Sequence, residues 1–161
     1  MHYIFLLSIF SIFFFLGCSA KKITNDFVYF ITIKSKNMRY SDIGYIKKFG
    51  NNSIELEIYS AGNPLLRLVI NKKICTKSGC ISKERFNELY LSKNYPKDLF
   101  KNILQGESIF NGKNLIKNRQ GFEQKIYNKN SFDIIYRVSK DEIYFKDRLN
   151  NILIKIKNIK G

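Results

Sequence analysis

Apolar and polar residues alternate along most of the chain beyond residue 26, which predicts strands separated by short turns. The alternation is clearest around Ile54, Leu56 and Ile58, which would share one strand face while Glu55 and Glu57 share the other. β-Branched and aromatic residues support the same interpretation in other segments. The remaining strands are predicted at 27–35, 39–49 and 65–70, in a hairpin around 75–80, and at 122–127, 132–138, 142–147 and 152–159.

A helical period replaces the alternation in the middle of the chain. Ser82 is a candidate N-cap for a first helix over 83–91, and Pro96 is placed to begin a second helix. Residues 107–121 follow and are predicted to be irregular. The apolar residues of the second helix recur at helical spacing and would form one face: Leu99, Phe100, Ile103 and Leu104.

The order of elements is strands, then two helices, then strands, with short turns between consecutive strands. Short connections favour antiparallel hairpins, and strands on either side of a helical segment are typical of α+β domains. We therefore expect a single α+β domain over 27–161, a curved antiparallel sheet with two or more helices packed in or over its concave face. With only two Pro, nine Gly and no long polar linker, nothing divides this domain.

The first 17 residues differ from the rest because they are almost entirely apolar and carry no Lys, Arg, Asp or Glu. The segment is too short for a stable membrane span, and the small residue Gly17 directly precedes Cys18. This arrangement resembles the lipobox of a bacterial lipoprotein signal peptide. The resemblance implies that 1–17 is removed, that Cys18 carries the lipid with chains such as palmitate, and that 18–26 is a lipidated tether. The alternative is an uncleaved N-terminal anchor helix.

The expected cellular location and the net charge of the chain limit the kinds of partner that the protein can bind. Ser19 follows Cys18 in place of the Asp that commonly retains lipoproteins in the inner membrane, so we expect lipid anchoring at the outer membrane, facing the periplasm. Export excludes nucleic acid, so the net charge of +15 points to phospholipid headgroups, lipopolysaccharide phosphates or an acidic protein. Codon bias is an equally weighted explanation of this charge. The chain is rich in Lys, Asn and Ile, which AT-rich genomes encode frequently.

Two further cysteines, Cys75 and Cys80, flank four residues that are typical of a turn. They would face each other across a hairpin, and an exported location is oxidising, so a disulfide is expected, with two free thiols as the alternative. Metal binding would need further Cys or His ligands. None remain, since the third cysteine is Cys18 and the one histidine, His2, lies in the signal segment.

Residues for catalysis are scarce. Because the chain beyond the signal segment has no His, it cannot form a Ser-His, Cys-His or His-metal site, and no glycine-rich phosphate loop occurs. Glu55 and Glu57 have a spacing compatible with a carboxylate pair, but a solvated strand face explains them better. We expect no enzyme activity, no cofactor and no metal, and keep an envelope enzyme only as a third hypothesis.

Apolar residues are abundant, since hydrophobic residues make up 45% of the chain and aromatic residues 15%. Such a composition indicates a folded protein. The aromatic residues would line an apolar cavity between sheet and helices, or they would fill a solid core. The candidate cavity residues are Ile54, Leu56, Ile58, Leu99, Phe100, Ile103 and Leu104.

An ordered set of motifs runs from about residue 53 to the end. The alternating strand is followed by a loop containing Asn63-Pro64-Leu65, a returning strand and a hairpin before Ser82. Tyr95-Pro96, the helical segment 100–106 and a closing meander of strands follow. This order resembles LolB, the outer-membrane lipoprotein receptor, and the wider LolA/LolB-like fold.

The resemblance implies an incomplete β-barrel covered by helices over an apolar cavity. It also implies that the protein takes acylated lipoproteins from a periplasmic carrier of the LolA type and helps to incorporate them into the outer membrane, acting as a monomer. An exposed Leu between two strands reaches into the bilayer in that family. The matching position here is Leu65, with Leu66 beside it.

A second hypothesis needs no cavity. The chain would then be a non-enzymatic envelope assembly or surface lipoprotein, such as a lipopolysaccharide-transport accessory or an adhesin, whose sheet binds a protein. Binding of an acyl chain separates the two hypotheses.

Overall fold

The computed structural model describes residues 28–50 and 52–159, so the predicted signal segment, Cys18 and the whole predicted tether lie outside the described residues. Two helices occur in the described part, α1 (Lys83–Tyr90) and α2 (Leu99–Gln105), together with a 3-10 turn at Phe110–Gly112. The strands are β1 (Val28–Lys34), β2 (Arg39–Phe49), β3 (Ser53–Ser60), β4 (Asn63–Ile70), β5 (Ile74–Thr76), β6 (Gly79–Ile81), β7 (Leu115–Asn118), β8 (Gly121–Asn128), β9 (Phe132–Ser139), β10 (Glu142–Asp147) and β11 (Ile152–Asn158).

These described strands form one antiparallel sheet in the order β6-β5-β4-β3-β2-β1-β11-β10-β9-β8-β7. Consecutive strands pair within two meanders, β1 to β6 and β7 to β11, and pairing of β1 with β11 joins them at the centre. Both helices come between β6 and β7, the two edge strands of the sheet. The α+β class, the antiparallel sheet and the helices inserted between two strand meanders are therefore confirmed.

One face of the sheet is apolar along both meanders. Ile54, Leu56 and Ile58 of β3 are fully buried, as their alternation predicts. The register places Leu68 of β4 opposite Leu56, so apolar residues of neighbouring strands lie side by side. Buried residues of α1, α2 and both meanders belong to one cluster, which places the helices on this apolar face.

The ends of the helices follow their capping residues. Ser82 is the N-cap of α1, and its Oγ accepts a hydrogen bond from Arg85 N at 3.1 Å, which confirms the prediction. Gly106 ends α2 in the left-handed conformation with φ of 68°. The prediction that Pro96 begins the second helix is wrong, since α2 begins at Leu99. Pro96 lies in a preceding turn, where its carbonyl accepts bonds from Leu99 N and Asn87 Nδ2.

The segment 107–121 is more regular than predicted. It contains the 3-10 turn and the four-residue strand β7, which pairs with β8 at the edge of the sheet. Most of β7 is exposed, so no apolar alternation marks it in the sequence. A Cβ on Gly121, where β8 begins, would lie 2.0 Å from the Val138 carbonyl oxygen, so only glycine allows this close pairing.

The connection between β3 and β4 is shorter than predicted. The turn consists of Ala61 and Gly62, both with positive φ, and β4 begins at Asn63. A register shift follows the Ile58 pair, which leaves Leu65 as an extra residue between Pro64 and Leu66.

Cys75 and Cys80 stand directly opposite each other in the β5–β6 hairpin and form a disulfide with an S–S distance of 2.03 Å. The bond holds β6, the edge strand of one meander, to β5. Only five positions separate the two residues, so the closed loop is short.

Replacing both cysteines with serine should lower the free energy of unfolding by roughly 2 kcal/mol, because a short cross-link removes little loop entropy from the unfolded chain. Urea denaturation measures the change, and wild-type protein kept reduced is the matched control. If reduction leaves the midpoint of the wild-type protein unchanged, the bond does not stabilise the fold.

Candidate functional site

The candidate site is the interface between the apolar face of the sheet and the helical layer, which we define as α1, α2 and the connection between them. The sequence-predicted cavity residues meet here. Those of the sheet lie on β3, and those of the helical layer lie on α2. All seven are at most 3% exposed and belong to the same cluster: Ile54, Leu56, Ile58, Leu99, Phe100, Ile103 and Leu104.

This interface is filled by side chains. The ring of Phe86 on α1 packs between Tyr90 and Phe100, with centroid separations of 4.9 and 5.1 Å. Two cavities beside the start of α2, of about 560 and 550 Å³, are lined mostly by polar residues, and Leu99 is the only one of the seven that lines either. An acyl chain would therefore enter this interface only if the helical layer moved away from the sheet.

A buried polar contact ties the helical layer to the sheet. The hydroxyl of Tyr95, between α1 and α2, donates to Asp147 Oδ2 of β10 at 2.5 Å. The other carboxylate oxygen accepts backbone N–H groups of Asp133, Leu149 and Asn150, so Asp147 also organises the β10–β11 turn. Burial, and then the bond to Asp147, raises the pKa of Tyr95 above its ordinary value of 10.0, which keeps the hydroxyl protonated as a donor.

Two further polar contacts fix the segment after α2. The Gln124 side chain of β8 pairs with both the N–H and the carbonyl of Ile109 at 2.9 Å. The hydroxyl of Tyr136 on β9 donates to the Glu107 carbonyl at 2.9 Å, and burial raises the pKa of Tyr136. The segment after α2 is thus bonded to the second meander.

Two side-chain oxygens in the helical layer have no partner among the described residues. They are Asn87 Oδ1 on α1 and Gln105 Oε1 on α2, and both are buried. A buried acceptor without a hydrogen bond costs about 1–3 kcal/mol. Each helix therefore carries a polar group that contact with water would satisfy, which lowers the energy needed to lift the layer.

The predicted membrane-insertion residues lie on different sides of β4. Leu65 is 50% exposed beside the β3–β4 turn, whereas Leu66 is half-buried and packs against the core cluster. Leu65 is thus an exposed apolar side chain beside the β3–β4 turn.

The carboxylates Glu55 and Glu57 lie on the polar face of the sheet and are held in ion pairs. Arg67 Nε contacts an oxygen of each, and Lys47 Nζ lies 3.3 Å from Glu57 Oε2. The hydrogen bond with Glu55, followed by its charge, raises the pKa of Arg67. The arrangement accounts for both carboxylates as partners of cations.

Two features are absent from the residues that the structure describes. Within 28–50 and 52–159, no group of three or more His, Cys, Asp or Glu is placed to hold a metal ion. No helix in these ranges is long and apolar enough to cross a bilayer.

Sequence reasoning missed several residues that the fold brings together. Tyr95 and Asp147 are 52 positions apart, and nothing local links them. Lys101 is buried although the helical period places it away from the apolar face of α2. In the sequence, Gln124 and Asp147 stand out only as polar residues within apolar segments. This pattern does not show which residues they bond to.

Comparison with known proteins adds no family. No family model matches the chain, and no curated protein matches it. The function is therefore argued from the fold and the chemistry of the described residues.

Replacing Tyr95 with phenylalanine should lower the free energy of unfolding by about 1.5–3 kcal/mol, because buried Asp147 loses a hydrogen bond to its charge. Chemical denaturation measures this loss. Tyr127→Phe is the matched control, since that side chain is 67% exposed and its hydroxyl remains in water. Equal stability of the two variants would contradict the role given to Tyr95.

Proposed function

We propose that the protein is a LolB-like lipoprotein receptor, anchored to the outer membrane through lipidated Cys18 and facing the periplasm. It receives acylated lipoproteins from a carrier of the LolA type, shelters their acyl chains between the sheet and the helical layer, and helps to incorporate them into the membrane. The function needs no cofactor and no bond making or breaking.

The observation that carries this proposal is the arrangement of the two layers. An open antiparallel sheet presents a continuous apolar face, and the only described helices cover it with apolar side chains. Separation of such layers would expose apolar surface on both sides of an inserted hydrocarbon chain. The order of strands, helices and strands, on which the resemblance to the LolA/LolB-like fold rests, is also the order of the elements in the structure.

Movement of the helical layer is a requirement of the proposal, since the interface is filled in this structure. Helices of eight and seven residues have little stability of their own, so their position depends on packing against the sheet. The unpartnered oxygens of Asn87 and Gln105 favour a displaced state, in which water reaches them. An entering acyl chain would replace the apolar contacts that the helices give up.

Leu65 supports contact with a bilayer. It is exposed at the β3–β4 turn, and the bulge there removes it from the side of β4 that packs on the core. Burying a leucine side chain in hydrocarbon contributes about 1.5–3 kcal/mol, which suits transient contact by a protein that is already lipid-anchored.

A second candidate function rests on the opposite face of the sheet. Phe30 and Ile43 stand opposite each other on β1 and β2 and are 42% and 44% exposed. A paired apolar surface at the centre of a polar face suits a protein partner. It favours the alternative of a non-enzymatic envelope assembly or surface lipoprotein, such as a lipopolysaccharide-transport accessory or an adhesin.

Site-specific photo-crosslinking in the full chain separates these functions. A photoreactive phenylalanine derivative in place of Phe100 should capture the acyl moiety of a lipoprotein in cells, because Phe100 faces the interface that the chain would enter. The same derivative in place of Phe30 is the matched control on the opposite face. Capture of a protein at position 30 alone, with none at 100, would favour the second function and contradict the first.

The variant Leu65→Glu should fold normally but stop lipoprotein delivery, because a carboxylate opposes entry of this turn into hydrocarbon. Cells depleted of the wild-type protein and supplied with the variant should accumulate lipoproteins in the inner membrane or periplasm, as fractionation would measure. Phe49→Glu is the matched control, since Phe49 is 51% exposed and lies beside the β2–β3 turn, at the opposite end of the sheet. Normal delivery by Leu65→Glu would remove Leu65 from the mechanism.

A further inference from the structure

A polar cleft lies where the helical layer meets the turns of the first meander. It consists of the two cavities of about 560 and 550 Å³ beside the start of α2. Lys101 and Asp98 line both, together with Asn52 from the β2–β3 turn. The β4–β5 turn adds Asn71 and Lys72 to the first cavity.

The lining of this cleft is basic. Lys97 and Lys113 line the second cavity, and Lys72 and Lys83 line the first. With Lys101, five lysines face the cleft, whereas only two carboxylates, Asp98 and Glu107, line it. Asparagine side chains supply further hydrogen-bond donors. The cleft thus has an excess of positive charge on a concave surface, and a concave surface focuses the field on an anion more strongly than a flat surface does.

Lys101 distinguishes this cleft from an ordinary basic surface. Its side chain lies between the core and the cleft, with only 8% of the residue exposed. No hydrogen bond or ion pair joins its ammonium group to another of the described residues. A lysine in this position buries its apolar stem and keeps its ammonium group in contact with water, so the charge is directed into the cleft.

The nearest candidate for neutralising Lys101 already has another partner. Asp98 lies one helical turn before Lys101, but its Oδ1 is 2.6 Å from Lys83 Nζ, and the Lys83 side chain is itself only 11% exposed. The Lys83–Asp98 pair connects the beginning of α1 to the beginning of α2. The cleft therefore contains a fixed ion pair and, beside it, an ammonium group that has no counter-ion among the described residues.

We infer that this cleft binds an anionic phosphate group, with Lys101 as its central ligand and Lys72 and Lys97 at the rim. Lysine ammonium groups bind phosphate as point charges, and an oxyanion accepts several hydrogen bonds at once. The volume exceeds that of a bare phosphate, so a phosphate ester also fits. The phosphate belongs either to a lipid headgroup or to a small soluble ion. This inference does not rest on acyl-chain binding, because the cleft lies outside the sheet–helix interface.

Calorimetric titration of the full chain in an uncharged detergent tests the site. Inorganic phosphate and glycerol phosphate are the two probes, and the wild-type protein should bind at least one with an affinity that falls as salt is added. An affinity for glycerol phosphate at least tenfold higher than that for inorganic phosphate would indicate a lipid headgroup. Equal affinities would indicate free phosphate. Absence of binding by both probes would overturn the inference.

Variants distinguish a built site from general attraction. Lys101→Gln should weaken phosphate binding at least about tenfold, since a charge-assisted hydrogen bond is lost, and Lys101→Arg should retain most of it. Lys129→Gln removes the same charge from the exposed β8–β9 turn and should change affinity less than about twofold. Equal weakening by Lys101→Gln and Lys129→Gln would show that net charge alone attracts the anion, which would overturn the inference.

Thermal unfolding gives an independent measurement. Phosphate should raise the unfolding temperature of the wild-type protein, because a ligand that binds only the folded state stabilises it, and should not raise that of Lys101→Gln. Without phosphate, Lys101→Gln should unfold at nearly the wild-type temperature, because the ammonium group that it removes has no ionic partner to lose. If Lys101→Gln does not fold, Lys72→Gln at the exposed rim replaces it, with weaker phosphate binding as the expected result and unchanged binding as the contrary one.

Discussion

The apolar face of the sheet is the constraint on which the rest of the structure depends. Alternation within each strand places Ile, Leu and Phe side chains on one side of two meanders, and pairing of β1 with β11 makes these sides continuous. Such a surface cannot remain in water, so another layer must cover it. The chain provides that layer from the segment between the meanders, and α1 and α2 bring Phe86 and Phe100 onto the sheet.

The covering layer is held by few directional contacts. Tyr95 reaches Asp147 in the second meander, and Asn37 of the β1–β2 connection donates to the Leu89 carbonyl at 2.6 Å. Most of the remaining attachment is apolar packing, which is strong in sum but not specific in direction. A layer of this kind keeps its position by excluding water, and the proposed function requires it to exchange these contacts for those of a hydrocarbon chain.

Local patterns predict the parts of the fold that depend on neighbouring residues. The faces of β3, the N-cap at Ser82 and the pairing of Cys75 with Cys80 follow from alternation, capping chemistry and a short turn. The first residue of α2 does not, because Pro96 is suited equally to a helix start and to the turn that it forms here. Strand β7 escapes prediction because its stability comes from pairing with β8 and not from an apolar face.

The candidate sites differ in how far the sequence shows them. The apolar interface follows from the period of each element, since Ile54 and Ile103 occupy regular positions in a strand and a helix. The cleft does not, because residues of α2 and of turns in the first meander line it together. Such an arrangement depends on residues far apart in the chain, which no periodicity records.

Helix α2 belongs to both the apolar interface and the cleft. Phe100 faces the core and Lys101 faces the cleft, although they are consecutive residues. If α2 moves to admit an acyl chain, Lys101 must also move relative to Lys72 and Asn71, which belong to the sheet. An anion in the cleft that contacts residues of both groups would then favour the closed layer. Because coupling between binding sites is reciprocal, an acyl chain under the helices would weaken anion binding by the same factor. Two ligands of opposite character, one hydrocarbon and one phosphate, would thus compete through the position of a single short helix.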